Sequence, residues 1–247
     1  MKCIILCAGY ATRLYPITLD QPKPLLPIAG RPIIEHIIAK VEKVDSVDEI
    51  FVVTNDKFYD SFRKWKLSFS SQKPIKIVND RTKTEEKRLG AIGDMHFVMQ
   101  SEKISDDIMV IAGDNLFDFS LAALEQLFLE KKTSSIALYD ILDGSLAAKK
   151  YGVVETGKDG SIKALEEKPE SPKTTLVSTA CYIFSRKDMA LMEKCIKENS
   201  KPDNLGDFIK YLIKNSTVFG HVFRETWFDI GSREQLKQAD IVWSSRK

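Results

Sequence analysis

Three stretches of the chain hold residues whose type and spacing suit work on phosphate. Cys7-Ala8-Gly9-Tyr10-Ala11-Thr12-Arg13-Leu14 follows an apolar run, which places it where a strand gives way to a loop at the carboxyl edge of an open α/β sheet. Small side chains there let backbone N–H groups approach an anion, and Arg13 adds a forked, permanent cation. A plain surface loop with a solvated arginine is the alternative. Gln21-Pro22-Lys23-Pro24-Leu25-Leu26-Pro27 comes next. Its three prolines fix their own φ and are expected to keep Gln21, Lys23 and Leu26 extended, presenting Lys23 on a stiff rail. A rigid connector with an exposed lysine is the bland reading. Residues 1–31 contain Lys2, Arg13, Lys23 and Arg31 against Asp20 alone, so positive charge gathers around these two loops.

The third stretch is acidic. Gly113-Asp114-Asn115 ends another apolar run, so a strand would deliver a carboxylate to the same edge. Mg²⁺ in nucleotide sites takes one or two carboxylates plus substrate phosphates, and Trp227-Phe228-Asp229-Ile230-Gly231 offers a second acid. Read separately, Asp114 serves equally as a turn residue and Asp229 as the cap of a last helix. Glu166-Glu167-Lys168-Pro169 closes a further strand, with the proline expected to hold Lys168 extended; a charged edge-strand terminus is the alternative. Gly152-Val153-Val154-Glu155-Thr156-Gly157-Lys158 fills the first seven positions of a P-loop, but Asp159 replaces the required Ser or Thr and the spacing residues read as a strand.

Other chemistries fit poorly. The first loop is not G-x-G-x-x-G, and no acid stands about 20 residues on to hold a ribose, which disfavours a dinucleotide dehydrogenase. His36, His96 and His221 lack a nucleophile signature nearby, so acyl-transfer triads find little support, and His36 is expected to decorate a helix. The pattern suits a reaction without a general base. Nucleotidyl transfer onto an existing phosphate is such a reaction, because the attacking oxygen is already anionic and alignment and charge neutralisation remain to be supplied.

The elements that must position these residues alternate. Lys2–Leu6, Ile50–Thr54, Ile75–Asn79 and Ile108–Ala112 read as buried strands. Between them, Ile33, Ile34, Ile37, Ile38 and Val41 form one helical face after Pro32, and a helix is expected over Ala91–Gln100. This βαβ order predicts a parallel sheet. After Ser135–Asp140 the pattern turns α+β, with a hairpin around Lys158–Ser161, a strand near Leu176–Phe184, and helices near Arg186–Glu198 and Leu205–Asn215. A strand near Val218–Phe223 and a last helix after Gly231 complete it. We expect an α/β fold: a single doubly wound, Rossmann-like, mixed and mainly parallel sheet with inserted antiparallel strands, forming one domain over residues 1–247.

Bulk properties agree. Of 247 residues, 43% are hydrophobic and 29% charged, and the net charge is +2, a globular balance that gives no global field for nucleic acid. No apolar run reaches the roughly 18 residues of a membrane span, and the N-terminal run is too short for a secretory leader of about 7 to 15 apolar residues. A cytoplasmic chain is expected, with Cys3, Cys7, Cys181 and Cys195 as buried thiols and Asn215-Ser216-Thr217 as a chance sequon.

In combination, A-G-Y-A-T-R-L-Y-P-I-T, P-K-P-L-L-P-I-A-G-R-P-I, G-D-N, Y-G-V-V, E-E-K-P and W-F-D-I-G resemble the sugar-phosphate nucleotidyltransferases, most of all glucose-1-phosphate thymidylyltransferase and uridylyltransferase-like NDP-sugar synthases. The resemblance implies transfer from an NTP, dTTP or UTP first, to a sugar 1-phosphate. It implies that Arg13 and Lys23 neutralise triphosphate and α-phosphate charge. Ala8, Gly9, Tyr10, Ala11, Thr12, Leu89, Gly90 and Asp114 would then bind the nucleotide, Gly152, Glu167 and Lys168 the sugar phosphate, and Asp114 and Asp229 a Mg²⁺ ion. Partners would be these substrates, without nucleic acid or membrane, and a homo-oligomer is allowed. The first loop has less glycine than the family's, and the base-contacting stretch differs, reading Asn79 to Arg81 and Arg88-Leu89-Gly90. The chain is short for the family, with no hexapeptide-repeat tail expected. Other readings of the same fold are cytidylyl transfer to phosphocholine, guanylyl transfer to a heptose phosphate, or a non-catalytic sugar-nucleotide sensor.

Overall fold

The computed structural model describes residues 1–198 and 203–246. Its strands in chain order are β1 (Lys2–Leu6), β2 (Pro27–Ile28), β3 (Arg31–Pro32), β4 (Glu49–Thr54), β5 (Ile75–Asn79), β6 (Ile108–Ala112) and β7 (Asn115–Phe117), then β8 (Ser135–Asp140), β9 (Gly152–Thr156), β10 (Ile162–Glu167), β11 (Leu176–Phe184), β12 (Phe219–Phe223) and β13 (Trp227–Asp229). The helices are α1 (Ile33–Val41), α2 (Tyr59–Ser68), α3 (Gly90–Ser101), α4 (Leu121–Lys131), α5 (Arg186–Met189), α6 (Met192–Glu198), α7 (Leu205–Asn215) and α8 (Arg233–Ser244).

Strands β6, β1, β4 and β5 lie side by side in parallel, with Ile4 level with Phe51 and Val110. Parallel strands need long crossovers, and the helices that supply them cover both faces, so such strands read as unbroken apolar runs. Successive residues of β1 therefore serve two cores. Cys3 and Ile5 pack with Ile33, Ile34, Ile37 and Ile38 of α1. Ile4 packs with Ile92, Met95 and Val98 of α3. Truncating a fully buried member of either core, such as Ile4 or Ile37, to alanine should cost about 2–5 kcal/mol.

The second half adds antiparallel strands through β11. Its later residues pair with β6, Cys181 opposite Ile111, while Val177 at its start pairs with Val153 of β9. One edge of β11 thus holds two partners in succession, and they diverge as a fork. The other edge pairs with β8, whose far side takes β12 in parallel. Between Ser178 and Tyr182 the register of β11 shifts, and Ala180 adopts a left-handed φ of 54°, the geometry of a bulge. A separate ribbon joins β7 and β13. The nine strands of the large sheet, counted among the described residues, make the mixed α/β architecture expected from the alternating pattern.

Strands β1, β5, β6 and β8 coincide residue for residue with the runs expected from sequence. The helix expected over Arg186–Glu198 is interrupted. Asp188 turns inward to accept from the Ser134 hydroxyl at 2.6 Å, and α5 stops at Met189. His36 bonds the Ile28 carbonyl at 2.9 Å, the structural role foreseen for it. Cys3, Cys7, Cys181 and Cys195 are all buried. No helix among the described residues is long and apolar enough to cross a membrane.

Candidate active site

The carboxyl ends of β1 and β6 approach so closely that only glycine fits between them. A Cβ at Gly113 would lie 2.5 Å from Cys7 Sγ and 2.9 Å from the Leu6 carbonyl oxygen, while the Gly113 N–H donates to that carbonyl at 2.9 Å. This contact sets Asp114 directly beside the first loop. The loop is pinned in turn: Asn55 donates to the Ala8 carbonyl at 2.8 Å and Thr18 to the Ala11 carbonyl at 2.8 Å. Ala11 has φ 50° and leads into a 3-10 turn over Thr12–Leu14. Tyr10 points inward against Phe58, so from it only the backbone is offered to a ligand. Arg13 is exposed, forms no ion pair among the described residues, and lines the cleft beside the loop.

Lys23 is not extended. Lys23–Leu25 form a 3-10 turn, in which the Leu26 N–H bonds the Lys23 carbonyl at 3.0 Å. Proline is accepted early in such a turn because its missing N–H would have had no partner there. The turn aims the Lys23 ammonium at Asp114 Oδ2, 2.6 Å away, and at the Ile230 carbonyl, 2.8 Å away.

Asp229 reaches the same point from the other ribbon strand. It lies opposite Asn115, and the Ile230 N–H donates to the Asp114 carbonyl at 3.1 Å. It does not cap α8: Ser232 does, accepting from the Gln235 N–H at 3.2 Å. Burial pushes the Asp114 carboxyl up, but the Lys23 ammonium and the Asn115 amide outweigh it and hold the group below the ordinary carboxylate range. Burial and the neighbouring Asp114 charge push Asp229 up to about 6, against the opposing charges of Lys23, Lys168 and Arg13. Two hard carboxylates repelling each other beside the first loop are of the kind that a small dication such as Mg²⁺ would neutralise.

The cleft continues past this centre into the fork between β9 and β6. The pocket that spans the centre and the fork has a volume of about 350 Å³, and on the fork side it is lined by Gly152, Glu167, Ser178, Ala180 and Tyr182, among others, with Asn204–Gly206 at the start of α7. Glu167 stands opposite Gly152 across the hairpin. Its carboxyl is pushed up by burial, which Lys210 and Lys168 only partly oppose. A Cβ on Gly206 would lie 2.0 Å from Glu167 Oε1, so the acid occupies space that only glycine leaves open.

The backbone of Lys168 is not extended, as expected before a proline, but left-handed at φ 49°. Its N–H turns back to the Tyr151 carbonyl at 3.1 Å, and that bond overrides the extended preference of a residue before proline. Leu89 faces a separate groove on the outer side of α3, and Gly90, with φ 77°, packs on Asp203. Neither lines the cleft around Lys23; the neighbouring Ala91 does. Lys150, Tyr151, Ser178, Ala180, Tyr182 and Asn204–Gly206 were missed. Only Asn204 had a local signal, as the N-cap of α7, accepting from the Asp207 N–H at 3.1 Å.

Residues 2–242 match the nucleotidyl transferase family. The bifunctional protein GlmU of Methanocaldococcus jannaschii is 33% identical over 244 residues, which are 97% of this chain and 53% of that protein. A putative mannose-1-phosphate guanyltransferase of Sulfolobus acidocaldarius is 30% identical, over 94% of this chain and 60% of its own. The chain therefore spans about half the length of the GlmU relatives it matches. A UDP-glucose pyrophosphorylase solved with UDP-glucose shares the fold, with a TM-score of 0.81 at 19% identity over 100% of this chain and 99% of that one.

Proposed function

Because the chain belongs to the nucleotidyl transferase family, we propose that it transfers a nucleotidyl group from an NTP to a sugar 1-phosphate, releasing pyrophosphate. The observation that carries this reading is the meeting of Lys23, Asp114 and Asp229 where the two halves of the cleft join. One half offers backbone N–H groups and Arg13, which suits a triphosphate. The other offers Glu167 and the α7 start, which suits a sugar. The reacting phosphorus then lies at the junction.

In the reaction an oxygen of the sugar phosphate attacks the α-phosphorus, a new P–O bond forms, and the bond to the pyrophosphate oxygen breaks. No proton has to be removed from the nucleophile. Arg13 neutralises charge on the departing pyrophosphate. Lys23 exchanges its hold on Asp114 for a non-bridging α-phosphate oxygen, where charge builds in the transition state. Asp114 and Asp229 would hold Mg²⁺, which when bound supplies neutralisation of phosphate charge. Glu167, Gly152 and Lys168 orient the sugar phosphate.

The motif resemblance ranks dTTP and UTP first, and the guanyltransferase name carried by one relative makes GTP the competitor to test beside them. The buried cysteines support a cytoplasmic setting. Pyrophosphate release measured with Mg²⁺ across the five NTPs and a panel of sugar 1-phosphates tests the reading. A metal-dependent signal with one pair is expected, and silence with every pair would refute it.

A further inference from the structure

We propose that Arg88 is a further triphosphate-binding residue, committed to the β- and γ-phosphates; this rests on the nucleotidyl-transfer reading above. Arg88 lines the loop half of the cleft together with Gly9, Arg13 and Lys23. Lys23 is engaged by Asp114 and the Ile230 carbonyl at the junction, so it serves the α-phosphate end. Arg13 alone would face the remaining negative charge. Arg88 supplies the second fork on that side.

Its present partners are of the kind that phosphate displaces. One guanidinium nitrogen lies 2.7 Å from Asp203 Oδ2 and the other 3.8 Å from Glu85 Oε1, and all three side chains are between 42% and 54% exposed. Ion pairs this open to water are weak, whereas a guanidinium on phosphate oxygens makes parallel, charge-assisted bonds. Glu85 also accepts from the Thr12 hydroxyl at 3.5 Å, which ties the segment before Arg88 to the loop that would carry the phosphates. Asp203 and Glu85 therefore hold the fork at the rim until a stronger anion arrives.

The test is calorimetric titration of wild type, Arg88→Gln and Arg88→Lys with Mg-pyrophosphate, with whichever of UTP, dTTP, GTP, CTP and ATP binds wild type most tightly, and with the matching monophosphate. Arg88→Gln should weaken triphosphate and pyrophosphate binding by about tenfold or more, the loss of one charged hydrogen-bonding group, and leave the monophosphate unchanged. Arg88→Lys, which keeps the charge without the fork, should fall between and also serves as the folding control. Triphosphate and pyrophosphate binding unchanged in Arg88→Gln would overturn the assignment. An equal loss for the monophosphate would also overturn it, placing Arg88 on the nucleoside or α-phosphate. Wild type that binds no triphosphate and no pyrophosphate would overturn the proposed function along with it.

Discussion

Asp229 stands opposite Asn115 in the β7–β13 ribbon, so its carboxylate reaches Asp114 although 115 positions separate the two acids in sequence. If they share one metal ion, Asp114→Asn and Asp229→Asn should each raise the Mg²⁺ concentration for half-maximal activity by about tenfold or more. The double variant should lose much less than the product of the two, since both remove parts of one unit. A magnesium titration of the three variants checks this, and an unchanged requirement in Asp229→Asn would remove that residue from the metal site.

Lys23→Ala is expected to lower turnover about 10²–10³-fold, the scale found for loss of one preorganised charge-stabilising donor. Arg at this position should not restore the rate, because a planar fork cannot occupy the ammonium's place between Asp114 Oδ2 and the Ile230 carbonyl. Single-turnover rates at saturating substrate decide it. Turnover like wild type in Lys23→Ala would reduce the residue to a connector.

Gly206→Ala should strike the sugar side selectively. The added methyl meets Glu167 Oε1 at 2.0 Å and Asn204 Oδ1 at 2.9 Å, and the flexible glutamate must swing out of the cleft to make room. The KM for sugar 1-phosphate should rise about tenfold or more through loss of a charged contact, with the KM for NTP unchanged. Steady-state kinetics with each substrate varied in turn would show it, and equal rises in both constants would contradict a divided cleft.

Asp94, buried on α3 next to Asp80, keeps its proton up to about 8, first because burial penalises its charge and then because Asp80 repels it. A folded pKa above the unfolded one means the native state binds the proton more tightly. The resulting stabilisation is complete below about pH 4 and is lost as pH rises to about 8. Asp94→Asn cannot ionise, so its melting temperature should decline less than that of wild type between about pH 5 and pH 9. Parallel profiles would show that the acid is not titrating in the folded state.

Much of this arrangement was legible in the sequence because it is local. The end of an apolar run marks a sheet edge, so residue types and their order are enough to place Gly9 and Asp114 there. The residues that escaped notice are those brought in by the return of the chain. Asn204 and Gly206 enter the cleft because α7 packs beneath β10 and Glu167, and nothing around residue 205 records that meeting. Single hydrogen bonds also overrode local preference: the Tyr151 carbonyl turns Lys168 left-handed, and the turn ending at Leu26 curls Lys23. For Asp229 the sequence left two roles open, and Ser232 closed one of them by taking the cap.

The strand that carries Asp229, β13, stands outside the large sheet and follows that sheet's last strand, β12, in the chain. This order separates the strands of the scaffold from the last piece of the site. Every described strand of the large sheet lies at or before Phe223, so the sheet's share of the sequence is complete before Asp229 is reached. A chain cut at that point would contain the first loop and Asp114, yet lack the second acid and the Ile230 carbonyl that steadies Lys23. On the proposed reading, a chain cut there keeps the strands of the scaffold and loses the reactivity.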